Sequence, residues 1–308
     1  MNFVSMKAKT KKIIKNNVTG YLLLAPFLVG LIGFTVYPLL LALWQSFFKD
    51  YSPVTGYDFT VFGIDNYVRA LTDDWVLRSI CLTLVYAAIT IPIGLVVSFF
   101  IAYLLTAPIK GSKIFRVLVY FPALIPAIVS ASIYKYMFGP DEFGLINQWL
   151  IGMGKDPSLL LESEDQTVAV FSFFLTGIFS YGCASPMWIA GLRSIPTDVY
   201  EAALIDGSSR TRTLFQITLP LMGRFTFFQL LSSLIGTLQI GESVLMLSSR
   251  GGFNGNLNFY GLMIYNQTTD GIGNYGFASA LSYLLFIVIA LLSVATFQGN
   301  KKSYYEGF

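Results

Sequence analysis

Six stretches of this chain stay apolar for longer than most soluble helices and carry almost no charge. They lie at about residues 20–47, 79–106, 115–137, 167–192, 224–247 and 277–299. A bilayer's hydrocarbon core is about 30 Å thick, and a helix crosses it in about 20 residues, so each stretch is long enough to span. Only 12% of the residues are charged, where a soluble domain carries roughly 25%. Most of the stretches hold Gly or Pro, among them Pro38, Pro92, Pro122, Pro126, Gly177, Pro186 and Gly241. Helix bundles in lipid accept such residues because neighbouring helices re-satisfy the freed backbone groups. A soluble all-α protein would need polar faces and caps on every helix, and these runs lack them. The fold class predicted is all-α, a polytopic membrane protein of six spans.

Charge placement sets an orientation. Basic residues collect at Lys7, Lys9, Lys11, Lys12 and Lys15, at Lys110, Lys113 and Arg116, at Arg193, Arg210, Arg212 and Arg224, and at Lys301 and Lys302. They alternate with acidic segments such as Asp50 to Asp74 and Asp141 to Asp165. That places 14 Lys and Arg on one side and 6 on the other, so the basic side is read as cytoplasmic. The expected organisation is a basic cytoplasmic tail at 1–19, a six-span domain at 20–299 and a short cytoplasmic tail at 300–308. The first apolar run is too long, and lacks the small-residue cleavage site, for a secretory signal. The location expected is the cell membrane, multi-pass, with both termini in the cytoplasm.

Absences narrow the chemistry. The chain has no histidine, which excludes His-based acid–base catalysis and Ser-His-Asp triads. No G-x-x-x-x-G-K-[ST] occurs: Gly154-Lys155 is followed by Asp156, and Trp149 stands where the first glycine belongs. Any ATP therefore has to be bound by a separate chain. Cys81 and Cys183 lie in different spans without metal or disulfide spacing and are expected to be buried structural thiols. No metal site is expected. The basic residues mark topology, not a nucleic-acid groove. Tyr134, Tyr136 and Trp149 are placed near span ends and fit an interfacial aromatic belt.

Between the fourth and fifth spans runs YEAALIDGSSRTRTLFQITLPLM, from Tyr200 to Met222. It carries E-A-A-x3-G-x9-I-x-L-P on Glu201, Ala202, Ala203, Gly207, Ile217, Leu219 and Pro220. With this spacing the chain resembles the membrane-spanning permease subunits of binding-protein-dependent ABC importers. Further segments carry the likeness to the carbohydrate-type, maltose and glycerol-phosphate branch. They are Tyr21–Phe47, Phe62–Leu71, Lys110–Phe138 with Arg116, Pro122 and Pro126, and Asp141–Leu150. One departure stands out. Where the family commonly has L-T-x-G-G-P, this chain has Leu247-Ser248-Ser249-Arg250-Gly251-Gly252-Phe253, without the proline.

The resemblance implies the type I importer fold and a coupling loop, here 193–222, that docks on an ATPase. Its residues would be Glu201, Ala202, Ala203, Leu204, Gly207, Ile217, Leu219 and Pro220, with Glu201 pairing with a basic residue of the partner. The local chemistry agrees with a presented helix. Pro196 suits a helix start and Asp198 its positive first turn. Gly207 suits the left-handed position after its end. Leu204 and Ile205 are apolar in a loop that faces water, and helix-in-groove docking uses such residues. The partners implied are two ATPase subunits holding ATP and Mg, a second permease that is a paralogue of this chain, an extracytoplasmic solute-binding protein, an oligosaccharide and the bilayer. The chain itself would bind no cofactor and is not an enzyme.

Glu242 is the one carboxylate inside a predicted span. An ionisable residue there costs about 2.5–3.5 kcal/mol on insertion scales and is a functional candidate by default. Gln239, three residues before it, would share its helical face, with Ser243 adjacent. Two readings stand: a cavity contact to solute hydroxyls, or a solvated position at the outer end of the span. Ser130 in the third span and Phe179, Ser180 and Tyr181 in the fourth are further candidates for the same path, against a bland role in helix packing. The function expected is import of an oligosaccharide by alternating access. The alternatives are a glycerol-phosphodiester or polyol importer and, in a different class, an ion-coupled secondary transporter. The last expects paired intramembrane charges and internal repeats, and neither is evident.

The orientation is testable. Cysteines introduced at Ser208 and Lys302 should be labelled from the cytoplasmic side and one at Asp156 from outside, measured with an impermeant maleimide on intact cells. Labelling of Ser208 and Asp156 from the same side would overturn the six-span arrangement.

Overall fold

The computed structural model describes residues 20–57, 60–107, 111–248 and 251–299. The expected tails at 1–19 and 300–308, and the charged residues Asp58, Lys110 and Arg250, lie outside them. Among the described residues three helices are long and apolar enough to span alone: α1 (Gly20–Ser46), α3 (Asp74–Thr106) and α14 (Tyr275–Gly299). Between α1 and α3 come a two-stranded hairpin, β1 (Phe48–Lys49) against β2 (Val61–Phe62), and the short helix α2 (Asp65–Thr72). The other predicted spans are each built from a bent pair of helices, which gives up to six spans in all. The all-α reading stands, since the strands are two residues each.

The third predicted span divides into α4 (Ser112–Leu124) and α5 (Ala127–Met137), bent by 96°. Pro126 disfavours helical backbone at the residue before it, and Ile125 is extended with φ −81° and ψ 126°. After α6 (Leu145–Gly152), the fourth span runs as α7 (Gln166–Ile178), a tight turn at Tyr181–Ala184, and α8 (Ser185–Ser194), with a 46° bend. Pro186 sits in the first turn of α8, where its missing N–H costs nothing.

The fifth predicted span, 224–247, is not one helix. α9 (Thr197–Ile205) precedes α10 (Arg210–Leu221), which turns 68° at Met222 into α11 (Gly223–Leu238). The chain then breaks, and α12 (Glu242–Leu247) starts afresh. Gln239 and Glu242 therefore do not share a helical face. The break is held by α13 (Tyr260–Thr269), a helix in what the sequence reads as an external loop. A methyl group on Gly261 would lie 2.5 Å from the Ile240 carbonyl oxygen, and one on Gly241 would lie 2.7 Å from the Gly261 carbonyl carbon. The two backbones meet where only glycine fits on both sides.

Buried polar groups stitch the elements together. The Tyr260 N–H, in the uncapped first turn of α13, donates to Thr83 Oγ1 in α3 at 2.9 Å. Such first-turn donors have no partner within their own helix. Trp188 Nε1 donates to Ser98 Oγ at 2.9 Å and joins α8 to α3. Arg116 in α4 donates to the Leu105 carbonyl at 2.8 Å, in the last turn of α3, where a cation complements the helix dipole. Asn147, fully buried, donates to the carbonyls of Gly139, Asp141 and Ser158 and accepts from the Ser158 N–H. Removing such a partner leaves an orphan group costing about 1–3 kcal/mol.

The most exposed span is α1, none of whose most apolar window is buried. Its last turns pack on α14, where Tyr283 OH donates to the Leu39 carbonyl. Cys81 is exposed on α3, not buried as expected. In a helix whose solvent is hydrocarbon, an outward thiol needs no protein around it. Tyr136 and Trp149 are exposed, as an interfacial belt requires.

The glycine contact at the break can be tested by thermal unfolding of the purified protein in detergent. Gly261→Ala pushes a methyl into backbone and should cost about 1–3 kcal/mol, as overpacking does. Gly236→Ala lies in α11 with open space around it and should hold or raise the midpoint, since alanine favours helix over glycine. Equal midpoints for the two variants would remove the close approach as a determinant of the break.

Candidate functional site

Two features carry chemistry: a helical hairpin at one end and a cavity in the middle of the bundle. In the hairpin, Pro196 takes the N-cap of α9 and Asp198 its first turn. The helix closes on Gly207, whose φ is +70°. The Gly207 N–H donates to the Leu204 carbonyl at 3.1 Å and the Ser208 N–H to the Ala203 carbonyl at 2.9 Å. This is the paired bonding of a Schellman end, which requires a left-handed residue at that position. Ser209 Oγ then caps α10 through the Arg212 N–H at 3.3 Å.

The base of the hairpin is fixed in a cluster of Phe99, Ala102 and Leu105 from α3, Trp188, Ile189 and Leu192 from α8, and Ile195, Leu214 and Met222. Val199, Tyr200 and Leu219 pack against it, and Tyr200 OH lies 3.4 Å from Thr218 Oγ1. Ala203 is buried on that side. Ile217 and Leu219 are half-buried, while Ala202 and Pro220 are exposed. Gly191 lets α8 and α11 meet, since a methyl there would lie 2.6 Å from Met222 Cε and 2.8 Å from the Phe225 ring. The outward face of α9 presents Glu201, Leu204 and Ile205, with the two apolar residues 79% and 85% exposed. Positions i, i+3 and i+4 share one side of a helix, so these three form a single crest.

The cavity has a volume of about 630 Å³ and opens between α3, the bend of the third span, the fourth span and the break after α11. It gathers Gln239, Glu242 and Ser243 from the break, Ser130 from α5 and Ser180 from the fourth span. The broken helix thus brings Gln239 and Glu242 to one wall by a different route from the shared face expected of them. Tyr181 lines an adjoining space of about 320 Å³ that shares Tyr86, Gly177, Ser180, Gly236 and Ile240 with the first. Phe179 lies outside both and is exposed, its ring stacked 6.4 Å from Tyr134. Cys183 lines the cavity and is only half-buried.

Several lining residues escape a reading of the sequence. Tyr134, assigned above to an interfacial belt, faces the cavity because the 96° bend turns α5 inward. Tyr86 and Thr176 join it, and Tyr86 is braced by Phe173 and Phe259 at ring distances of 5.5 and 5.0 Å. Gln229, Ser233 and Thr237 line the adjoining space. Their i, i+4, i+8 spacing on α11 is a polar stripe in an apolar span, a signal that the sequence itself carries. Among the described residues lining the two spaces Glu242 is the sole charged one. Much of the lining is aliphatic, and its polar and aromatic members offer hydroxyls, amides and ring faces, groups that hydrogen-bond or stack without regard to charge.

Comparison with known proteins gives a consistent picture. Residues 94–300 match the family described as binding-protein-dependent transport system inner membrane component. YesP of Bacillus subtilis, named as a probable ABC transporter permease protein, is 31% identical over 94% of this chain and 93% of its own. The trehalose/maltose transport system permease protein MalF of Thermococcus litoralis is 28% identical over 89% of this chain and 91% of its own. The sn-glycerol-3-phosphate transport system permease protein UgpA of Shigella flexneri is 28% identical over 97% of this chain and 100% of its own. Among solved structures, a bacterial ABC transporter involved in import of the acidic polysaccharide alginate matches with a TM-score of 0.82 at 21% identity. It covers 96% of this chain and 99% of that chain.

Proposed function

This chain belongs to the family of binding-protein-dependent transport system inner membrane components, and from that premise we propose that it is one half of the channel of an ATP-driven oligosaccharide importer. It is a multi-pass membrane protein. In the proposed mechanism two ATPase subunits, holding ATP and Mg, grip the Glu201–Pro220 hairpin on the cytoplasmic side. Their closure rocks the spans, and the cavity faces first outward and then inward around a solute delivered by an extracytoplasmic binding protein. A second, paralogous permease supplies the other half of the path. Both termini are cytoplasmic.

The observation that carries this reading is the crest of Glu201, Leu204 and Ile205 on a base locked into the bundle. An exposed apolar pair beside a carboxylate, held rigidly, suits a groove with a basic rim. The cavity bears on the solute. A glycerol phosphodiester would bring a negative charge beside the exposed carboxylate of Glu242, with no Lys or Arg among the described residues lining the two spaces, and like charges repel. Hydroxyls and amides suit an uncharged sugar, which places an oligosaccharide ahead of the phosphodiester.

Two experiments test the proposal. Purified with its ATPase and second permease, the Glu201→Lys variant should lose the ATPase from the complex or hydrolyse ATP without uptake. Assembly and uptake at wild-type level would sink the docking role. Glu242→Ala should lower uptake of the native solute about tenfold, since a hydrogen-bond partner missing in the path costs about 1–3 kcal/mol, while assembly and basal hydrolysis persist. Glu242→Gln should be milder, and unchanged uptake in Glu242→Ala below half-saturation would move Glu242 off the path.

A further inference from the structure

The segment between α1 and α3 carries an apolar surface that packing within the chain leaves uncovered. One side of α2 is seated on the bundle: Ala70 is fully buried, and the Arg69 guanidinium lies 4.1 Å over the ring of Phe277 in α14. The other side presents Ile64, Val68 and Leu71, each more than half exposed. Their i, i+4, i+7 spacing makes one apolar stripe along the helix. The stripe continues through Gly63 onto the β-hairpin, where Val61 and Phe62 are also more than half exposed, and onto Trp44 in the last turn of α1, exposed to the same degree. Trp44 and Phe62 hold each other with ring centroids 5.9 Å apart. An exposed patch of this kind, contiguous and aromatic, marks an interaction surface.

Its level in the fold identifies what lies against it. α1 ends at Ser46 and β1 begins at Phe48. At the same level α14 begins, for the Gly276 N–H donates to the Tyr51 carbonyl at 3.2 Å. Asn66 in α2 donates to the carbonyls of both Ser46 and Phe48, at 2.9 and 3.0 Å. Two spans with outward apolar faces therefore stop at the hairpin and at α2, and the hydrocarbon that covers those faces ends there too. Tryptophan and tyrosine favour that boundary, and a helix apolar on one side lies in it with that side in the acyl chains. The ion pair of Arg69 with Asp73, at 3.7 Å, stands next to the stripe as its polar flank.

We propose that the β-hairpin and α2, with the last turn of α1, form an interfacial platform that lies flat in the bilayer surface, with Ile64, Val68, Leu71, Phe62 and Trp44 in the headgroup–acyl boundary. The partner of this surface is lipid, not protein. Lying there, the platform would hold the ends of α1 and α14 at a fixed depth while other spans move. The inference depends on α1 and α14 crossing the membrane and does not depend on which solute is carried.

The test uses the whole transport complex in nanodiscs of phosphatidylethanolamine and phosphatidylglycerol, with Cys81 and Cys183 replaced by serine. Spin labels go on Val68→Cys, Leu71→Cys and, on the hairpin, Val61→Cys, with Asp156→Cys as a loop control. Collision with oxygen, which partitions into lipid, should exceed collision with a nickel chelate at 61, 68 and 71, and the order should reverse at 156. Nickel collision dominating at the three sites would overturn the proposal by placing them in water. Low collision with both reagents would overturn it by placing them under protein, whether the second permease or the binding protein. Agreement of the hairpin and helix sites guards against one label disturbing its own surroundings. Uptake by each labelled complex is measured in parallel, so a loss of transport is distinguished from a misplaced platform.

Discussion

In hydrocarbon no water stands by to bond a freed N–H or C=O, so every interruption of a spanning helix has to be satisfied by protein. That constraint organises this molecule. Three of its spans are interrupted, after Leu124, after Ile178 and after Leu238, and residues beside each interruption line the central cavity. The last break shows how the chemistry is managed. α13 brings Gly261 against the loosened backbone of Gln239 to Gly241, while its own unpaired first-turn N–H is taken by Thr83. At this break the irregular backbone faces the cavity on one side and another segment of backbone on the other.

The same breaks give the bundle a mechanical path. α11 is a continuous helix from Gly223 to Leu238, about 24 Å long at 1.5 Å per residue. At one end Met222 is clamped, fully buried, in the cluster that seats the hairpin. At the other end α11 stops at the cavity wall that holds Gln239 and Glu242. In the proposed mechanism a push on the hairpin would be carried along this rod to the wall that holds Gln239 and Glu242. Close packing at Gly191, where α8 lies against Met222 and Phe225, leaves little slack to absorb that push, since cores transmit strain more readily than they deform.

Much of this was legible in the residues. The apolar runs that give up to six spans follow from length and scarcity of charge, and the hairpin's start and stop follow from Pro196, Asp198 and Gly207, each of which stands at the helix end it suggests. These signals read well because they act over a few neighbouring residues: helix length against bilayer thickness, a fixed proline φ, a glycine at positive φ. Glu242, read as a carboxylate inside the fifth span, stands exposed at the start of a separate short helix and lines the cavity from there.

What only the tertiary structure decided is where the spans break and what the breaks bring together. A proline or glycine in an apolar run permits a bend without setting its angle; the 96° turn after Leu124, which swings Tyr134 from an expected belt position into the cavity, depends on what packs around it. Gln239 and Glu242 share a wall through a broken helix instead of a helical face, because a glycine twenty residues on in sequence leans against the break. Local propensity carries no record of such an approach. The sequence by itself determined where the apolar runs lie and which segment forms the exposed hairpin, since those depend on the solvent and on near neighbours. The shape and lining of the cavity depend on contacts between distant segments, and those exist only once the bundle has packed.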